Sequence, residues 1–178
     1  MDQPASPDDS AVAALRTATR GDHDAVDAAF GDFALDTPEG YRDFLTAHAR
    51  ILPLAERLIA PETLVEGWRG RSRALLADLA ALNTEPPADL AFALPEGEAA
   101  RWGALYVMEG SRLGGAVLAR RIGEGLPAAY LGARHPQGAW RALLERLDRA
   151  DAGPAWRDQA VRGAKALFAA YRAAAAAR

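Results

Sequence analysis

The chain has 178 residues, half of them hydrophobic and a quarter charged, with a formal net charge of −3 and a pI near 5.6. Such a balance fits one globular domain and argues against a general nucleic-acid binder. There is no cysteine, which excludes disulfides, thiolate-ligated zinc or iron–sulfur clusters and cysteine nucleophiles, and which fits a reducing cytoplasm.

Residues 1–9, MDQPASPDD, are polar with two prolines and read as a flexible tail ahead of a helical domain over 10–178. No charged leader with an apolar core opens the chain, and no window reaches the roughly 18 apolar residues of a membrane span. Ser10 is placed to cap a first helix over 11–30, whose inward stripe runs Val12, Leu15, Thr19, Val26 and Phe30. The step from Thr19 to Val26 is bridged by Asp22 or His23, so His23 lies on or beside the inward face. Thr37-Pro38-Glu39 combines a cap, a first-turn proline and an acid at the positive helix end. It starts a second helix over 38–59, with Tyr41, Phe44, Leu45, His48, Ile51, Leu52 and Ile59 inward and a bend at Pro53.

Pro61 opens a third helix, strongest over 71–82. NTEPPADLAFALPEG, 83–97, is a loop with three prolines. A fourth helix covers 98–121 and stops at Gly123, Gly125 and Pro127. A fifth covers 136–150, and after Gly153-Pro154 a last helix covers 155–176. Nothing alternates with a period of two over a useful length, so the fold class is all-α, helices packed around one core.

The fourth helix contains GALYVMEGSRLGGAVLARR, 103–121. Each interior glycine costs about 1 kcal/mol relative to alanine, in a chain that uses alanine freely. Gly103, Gly110 and Gly114 share one face, with Gly115 beside them. A face without Cβ atoms permits close helix packing, or the approach of something flat to the backbone, or a local bend. Of the three histidines, His23 has Asp27 one turn later. That carboxylate is either an ordinary surface partner or a group that takes the second N–H and orients the ring toward a metal such as haem iron. Arg16 and Arg20, on a nearby face, form either a solvated basic edge or one suited to carboxylates. His48 also lies on an apolar stripe, but its helix lacks these accompaniments and it reads as a core histidine. His135, in a loop before Pro136, reads as solvent-facing.

LRTATRGDHDAVD, 15–27, resembles the proximal helix of haem oxygenases, in which a threonine stands four positions before the iron-ligating histidine, as Thr19 stands before His23. The glycine stretch 103–121 resembles their distal helix, and WRALLERLD, 140–148, with AVRGAKALFAAY, 160–171, resembles the two closing helices. The likeness runs from about residue 10 to 172 and is greatest to the bacterial, biliverdin-producing group, including enzymes that supply bacteriophytochromes. It implies a haem-oxygenase-like helical bundle with haem between the first helix and a kinked distal helix. His23 would ligate iron, Asp27 would support it, and Gly110, Gly114 and Gly115 would line the distal side. Arg16, Arg20 and Arg141 would meet propionates, and Phe168 would touch the macrocycle. Two positions depart from the wider pattern. Ser111 stands where animal members carry an aspartate, although the bacterial group commonly has serine, and its hydroxyl would hold water. Glu145 replaces an expected arginine, while Arg112 adds a cation beside the distal turn.

The implied reaction converts haem, as both substrate and cofactor, to biliverdin, carbon monoxide and ferrous iron. It needs O2 and electrons from an external donor, a ferredoxin or flavoprotein reductase, because no flavin or dinucleotide motif is present. A bacteriophytochrome is the expected acceptor of the product. The same residues would also suit a non-catalytic haem carrier or sensor. A di-iron oxygenase is disfavoured because no Glu-x-x-His occurs, and a thiaminase-like enzyme because there is no cysteine.

Overall fold

The computed structural model describes residues 10–177, so the expected tail over 1–9 lies outside the described residues. Within them the secondary structure is helical: α1 (Ala11–Gly31), α2 (Pro38–Ala49), α3 (Leu52–Ile59), α4 (Ser72–Ala81), α5 (Glu98–Leu118), α6 (Ala129–Gly132), α7 (Ala139–Ala150) and α8 (Pro154–Ala176). Single 3₁₀ turns occupy Pro61–Thr63 and Ala119–Arg121. No strand occurs among the described residues, and none of their helices is long and apolar enough to cross a membrane.

The α1 start is as expected: Ser10 Oγ accepts from Ala13 N at 3.2 Å, a side-chain cap. The same turn is tied to α7, where Asp148 accepts from Val12 N at 3.0 Å. Val12, Leu15, Thr19 and Phe30 are buried, and the Thr19 hydroxyl is satisfied by donating to Leu15 O at 2.7 Å. Thr37 caps α2 by accepting from Gly40 N at 3.1 Å.

The single bent helix expected over 38–59 is instead two helices. Pro53 has no N–H to give Ala49, and its ring would collide with that carbonyl. Ile51 sits at φ −121°, and the chain re-enters the helix at Leu52. The break leaves Arg50 O free to accept Leu90 N at 2.9 Å, which anchors the proline-rich segment 83–97. Pro61 opens one 3₁₀ turn rather than a helix. The short α6, which has no counterpart in the sequence reading, starts where the buried Asp78 of α4 accepts from Ala129 N at 3.1 Å and Tyr130 N at 2.8 Å. α7 begins three residues later than expected because Gly138 has a positive φ of 79°.

α8 packs along both α1 and α5. Its approach to α5 is set by two glycines. A Cβ on Gly103 would overlap the carbonyl of Ala160, and a Cβ on Gly163 would overlap the carbonyl of Ala100. Backbone therefore meets backbone at this crossing, with Leu105, Ala164 and Leu167 fully buried around it. Gly114, by contrast, has nothing within 4 Å of where its Cβ would stand.

His48 is a core histidine, as its stripe suggests. The rings of Phe44 and Phe30 lie 4.3 and 4.4 Å from it, and those of Tyr130 and Tyr171 at 5.3 and 5.7 Å. Phe44 O lies 3.0 Å from Nδ1 and can only accept, so Nδ1 carries the proton. Enclosure penalises the charged ring and holds its pKa down to about 3, with the Arg71 charge adding to the effect and the Phe44 bond opposing it.

Two predictions follow from this packing. Gly103→Ala should destabilise the fold by about 1–3 kcal/mol through overpacking, whereas Gly114→Ala should stabilise it by about 0.5–1 kcal/mol; thermal unfolding midpoints moving in opposite directions would verify both. For His48, the folded ring stays neutral while the unfolded ring takes a proton below its ordinary value of 6.5. The contribution of His48 is therefore present above pH 6.5 and declines as the pH falls toward 3. Urea unfolding at pH 7, 6, 5 and 4 should show a smaller acid loss in His48→Gln than in the parent.

Candidate active site

A cavity of about 340 Å³ lies between α1 and α5. α1 supplies His23, Val26, Asp27 and Phe30, and α5 supplies Tyr106, Gly110, Ser111, Gly114 and Gly115. The floor is aromatic, with Phe44 and His48 from α2, Tyr130 from α6, and Phe168 and Tyr171 from α8. Trp140 of α7 closes one flank. A smaller cavity of about 260 Å³ shares His23, Tyr106 and Phe168 with the first and adds Arg16, Thr19, Arg20 and Asp24. The apolar chamber thus continues into a basic edge along α1.

His23 stands at this junction with 61% of its side chain exposed. Its Nδ1 lies 3.3 Å from Asp27 Oδ2 and 3.9 Å from Asp24 Oδ1. The spacing of four puts His23 and Asp27 on one face of α1. A carboxylate at that distance favours the tautomer with the proton on Nδ1, which leaves the Nε2 lone pair as a ligand. Phe168 flanks the ring edge-on, centroids 6.2 Å apart at 75°. Among the described residues no three histidine or acidic side chains gather as a metal cage. The donor set here is one imidazole, which suits a metal that brings its other ligands with it.

The glycines of α5 divide between two roles. Gly103 serves helix packing, whereas Gly110, Gly114 and Gly115 border the cavity. A Cβ at Gly110 would come 3.5 Å from the Trp140 indole, one at Gly115 the same distance from Leu131, and one at Gly114 would enter open space. α5 stays helical throughout this stretch.

Ser111 borders the cavity, and its hydrogen bonds limit what it can offer. Oγ donates to Met108 O at 2.7 Å and accepts from Arg71 Nη2 at 2.6 Å. The hydroxyl proton is therefore spent within the helix, and toward the cavity Ser111 can only accept. Arg71 also donates to Met108 O at 2.9 Å, and its guanidinium lies 5.2 Å from the centre of the Tyr130 ring. It is a buried cation bordering the chamber.

The other residues singled out above fall in different places. Arg16, Arg20, Asp27 and Phe168 join His23 at the two cavities. Arg141 lines neither; its side chain is 86% exposed with Glu145 at 3.7 Å, and Arg149 holds Glu145 from the other side at 3.6 Å. Arg112 points to neither substrate space nor solvent, but is buried against Glu109 at 2.7 Å. His135, expected to face solvent, has only 13% of its side chain exposed, because the loop that carries it folds onto α5 and finds acceptors on Glu109. The sequence reading missed Arg71, Tyr106, Trp140 and Tyr171. Tyr106 had a usable signal, since it lies one turn before Gly110 on the glycine face. Arg71 had none within its arginine-rich surroundings at 69–73.

The geometry can be set beside known proteins. A haem oxygenase of Xanthomonas campestris pv. campestris (strain 8004) is 39% identical over 142 residues, covering 72% of this chain and 84% of that protein. Crystal structures of NO- and CO-bound haem oxygenase from Neisseria meningitidis superpose with a TM-score of 0.80 at 26% identity, over 93% of this chain and 90% of that one. No protein-family model matches the sequence. An imidazole braced by a carboxylate, a facing stretch of α5 without side chains and likeness to these enzymes along most of the chain lead to one conclusion: this protein belongs to the haem oxygenase family.

Proposed function

We propose that the chain cleaves haem to biliverdin, releasing carbon monoxide and ferrous iron and consuming O2 and externally supplied electrons. The observation that carries this reading is that His23 and the bare segment Gly110, Gly114 and Gly115 border one cavity. Haem, when bound, supplies the iron and the oxidisable ring. The chain's own groups do the rest. His23 Nε2 would ligate the iron, and Asp27, 3.3 Å from Nδ1, favours the tautomer that leaves Nε2 free. Gly110, Gly114 and Gly115 leave room for a flat ring and a diatomic molecule against the backbone of α5. Phe30, Phe44 and Phe168 provide an apolar surround that excludes bulk water.

Ser111 would accept a hydrogen bond from a water in the chamber and so orient it, while Arg71 fixes the serine. Arg16 and Arg20 receive the propionates at the open edge. Arg141 could assist only after swinging away from Glu145. The same basic edge suits an acidic electron donor, a ferredoxin or flavoprotein reductase. A bacteriophytochrome is the proposed recipient of biliverdin, and the cytoplasm the proposed compartment.

Haem titration tests the ligand assignment. His23→Ala should abolish the histidine-ligated haem spectrum, His48→Ala should keep it, and Gly114→Leu should weaken haem binding by filling the open space. The reverse pattern for the two histidines would overturn the assignment. With ascorbate and air, the parent complex should lose its Soret band and yield biliverdin. A Soret band that persists would mark a carrier instead of an oxygenase.

A further inference from the structure

Glu109 precedes Gly110 directly, and its carboxylate is only 5% exposed. An uncompensated buried carboxylate is very costly, and here it is fully engaged. Oε2 accepts from Arg112 Nε at 2.7 Å, and Oε1 accepts from Arg112 Nη2 at 3.1 Å and from Trp68 Nε1 at 2.9 Å. Arg112 also donates to the carbonyls of Arg69 and, at 3.5 Å, Ala133. Two irregular segments, one before and one after α5 in the chain, are thereby attached to the helix at this single turn.

His135 adds a contact of a different kind. Its Nε2 lies 3.0 Å from the backbone carbonyl of Glu109, and its Nδ1 lies 3.5 Å from the carboxylate of the same residue. The carbonyl can only accept, so Nε2 carries a proton. On the neighbouring carbonyl, Met108 O, Arg71 makes the equivalent bond. Two successive carbonyls just before the glycines are therefore held by side chains from outside the helix. The His135 ring also lies 5.9 Å from that of Trp140, the side chain nearest to a Cβ at Gly110. The histidine thus touches both the turn that carries the glycines and the wall they face.

Buried ion pairs are often replaceable by apolar groups with no loss of stability, so stability alone does not account for this arrangement. Directional bonds give something packing does not, which is a fixed height and rotation of one helical turn. Glycines remove the side chains that would otherwise fix that turn. We propose that His135, acting with the Glu109–Arg112 pair, is a positioning residue that holds Gly110 and Ser111 at their height over the cavity. His135 is outside the cavity lining and acts through α5 and Trp140. The consequence for chemistry rests on the haem oxygenase reading above; the effect on α5 does not.

The test uses the full chain with His135→Ala and His135→Gln, the latter retaining an N–H for Glu109 O. In haem-free protein, amide hydrogen exchange resolved by residue should rise about tenfold or more at 110–115 in His135→Ala, stay unchanged in the core of α8, and return toward parent in His135→Gln. In the CO complex of ferrous haem-loaded protein, the CO stretching band should shift in His135→Ala and recover in His135→Gln. Exchange that is unchanged at 110–115, or that rises uniformly along the chain, overturns the proposal. If His135→Ala does not fold, His135→Gln with parent exchange and a parent CO band supports the donor role, and local loosening at 110–115 in that variant overturns it. Failure of every variant and the parent to bind haem would count against the haem reading alone, since the exchange result stands without it.

Discussion

The crossing of α5 and α8 at Gly103 and Gly163 is the contact on which the geometry of the molecule depends. Each glycine meets a carbonyl of the other helix, so the separation there is set by backbone and not by adaptable side chains. Rigid close packing at one point fixes the direction of α5 from that point on. α8 also lies along α1, so the space between α1 and α5 is determined by how each of them sits on α8. The cavity lies between these two helices, where Gly110, Gly114 and Gly115 of α5 put no side chain into the gap.

Buried charges then secure the irregular segments that a helix-only core leaves unanchored. Asp78 holds the first amides of α6, and Arg71 and Arg112 bring the 64–71 connection against α5. Each of these groups would be costly if left unpaired, and each finds backbone partners in a segment that has no ladder of its own. The cost of placing charge inside is met by satisfying carbonyls and amides that would otherwise be orphaned. The same cation, Arg71, also determines that Ser111 presents an acceptor to the chamber.

The contrast between His23 and His48 shows how environment assigns roles to one residue type. Both border the same cavity. His48 is enclosed by aromatic rings and keeps a neutral imidazole down to about pH 3. His23 has a carboxylate behind it and an open edge in front. Burial makes the first a core element, and the exposed second one is free to meet a ligand.

Local information in the sequence was enough for the helical class, the caps at Ser10 and Thr37, the extent of α1, α5 and α8, and the pairing of His23 with Asp27. These depend on residues a few positions apart, whose geometry a helix dictates. The identity of the glycine face was legible as well; the resemblance assigned Gly110, Gly114 and Gly115 to the distal side, but the residues by themselves did not say that Gly103 served packing. That division depends on α8, 57 positions along from Gly103 at its contact with Ala160. The break before Pro53 was legible only as a bend, since the Leu90 amide that takes up the freed Arg50 carbonyl lies on a distant loop. The positions of Arg71, Arg112 and His135 were decided only by tertiary structure. Each takes its orientation from acceptors on a distant segment, and a long polar side chain carries no local sign of which partner will neutralise it once it is buried.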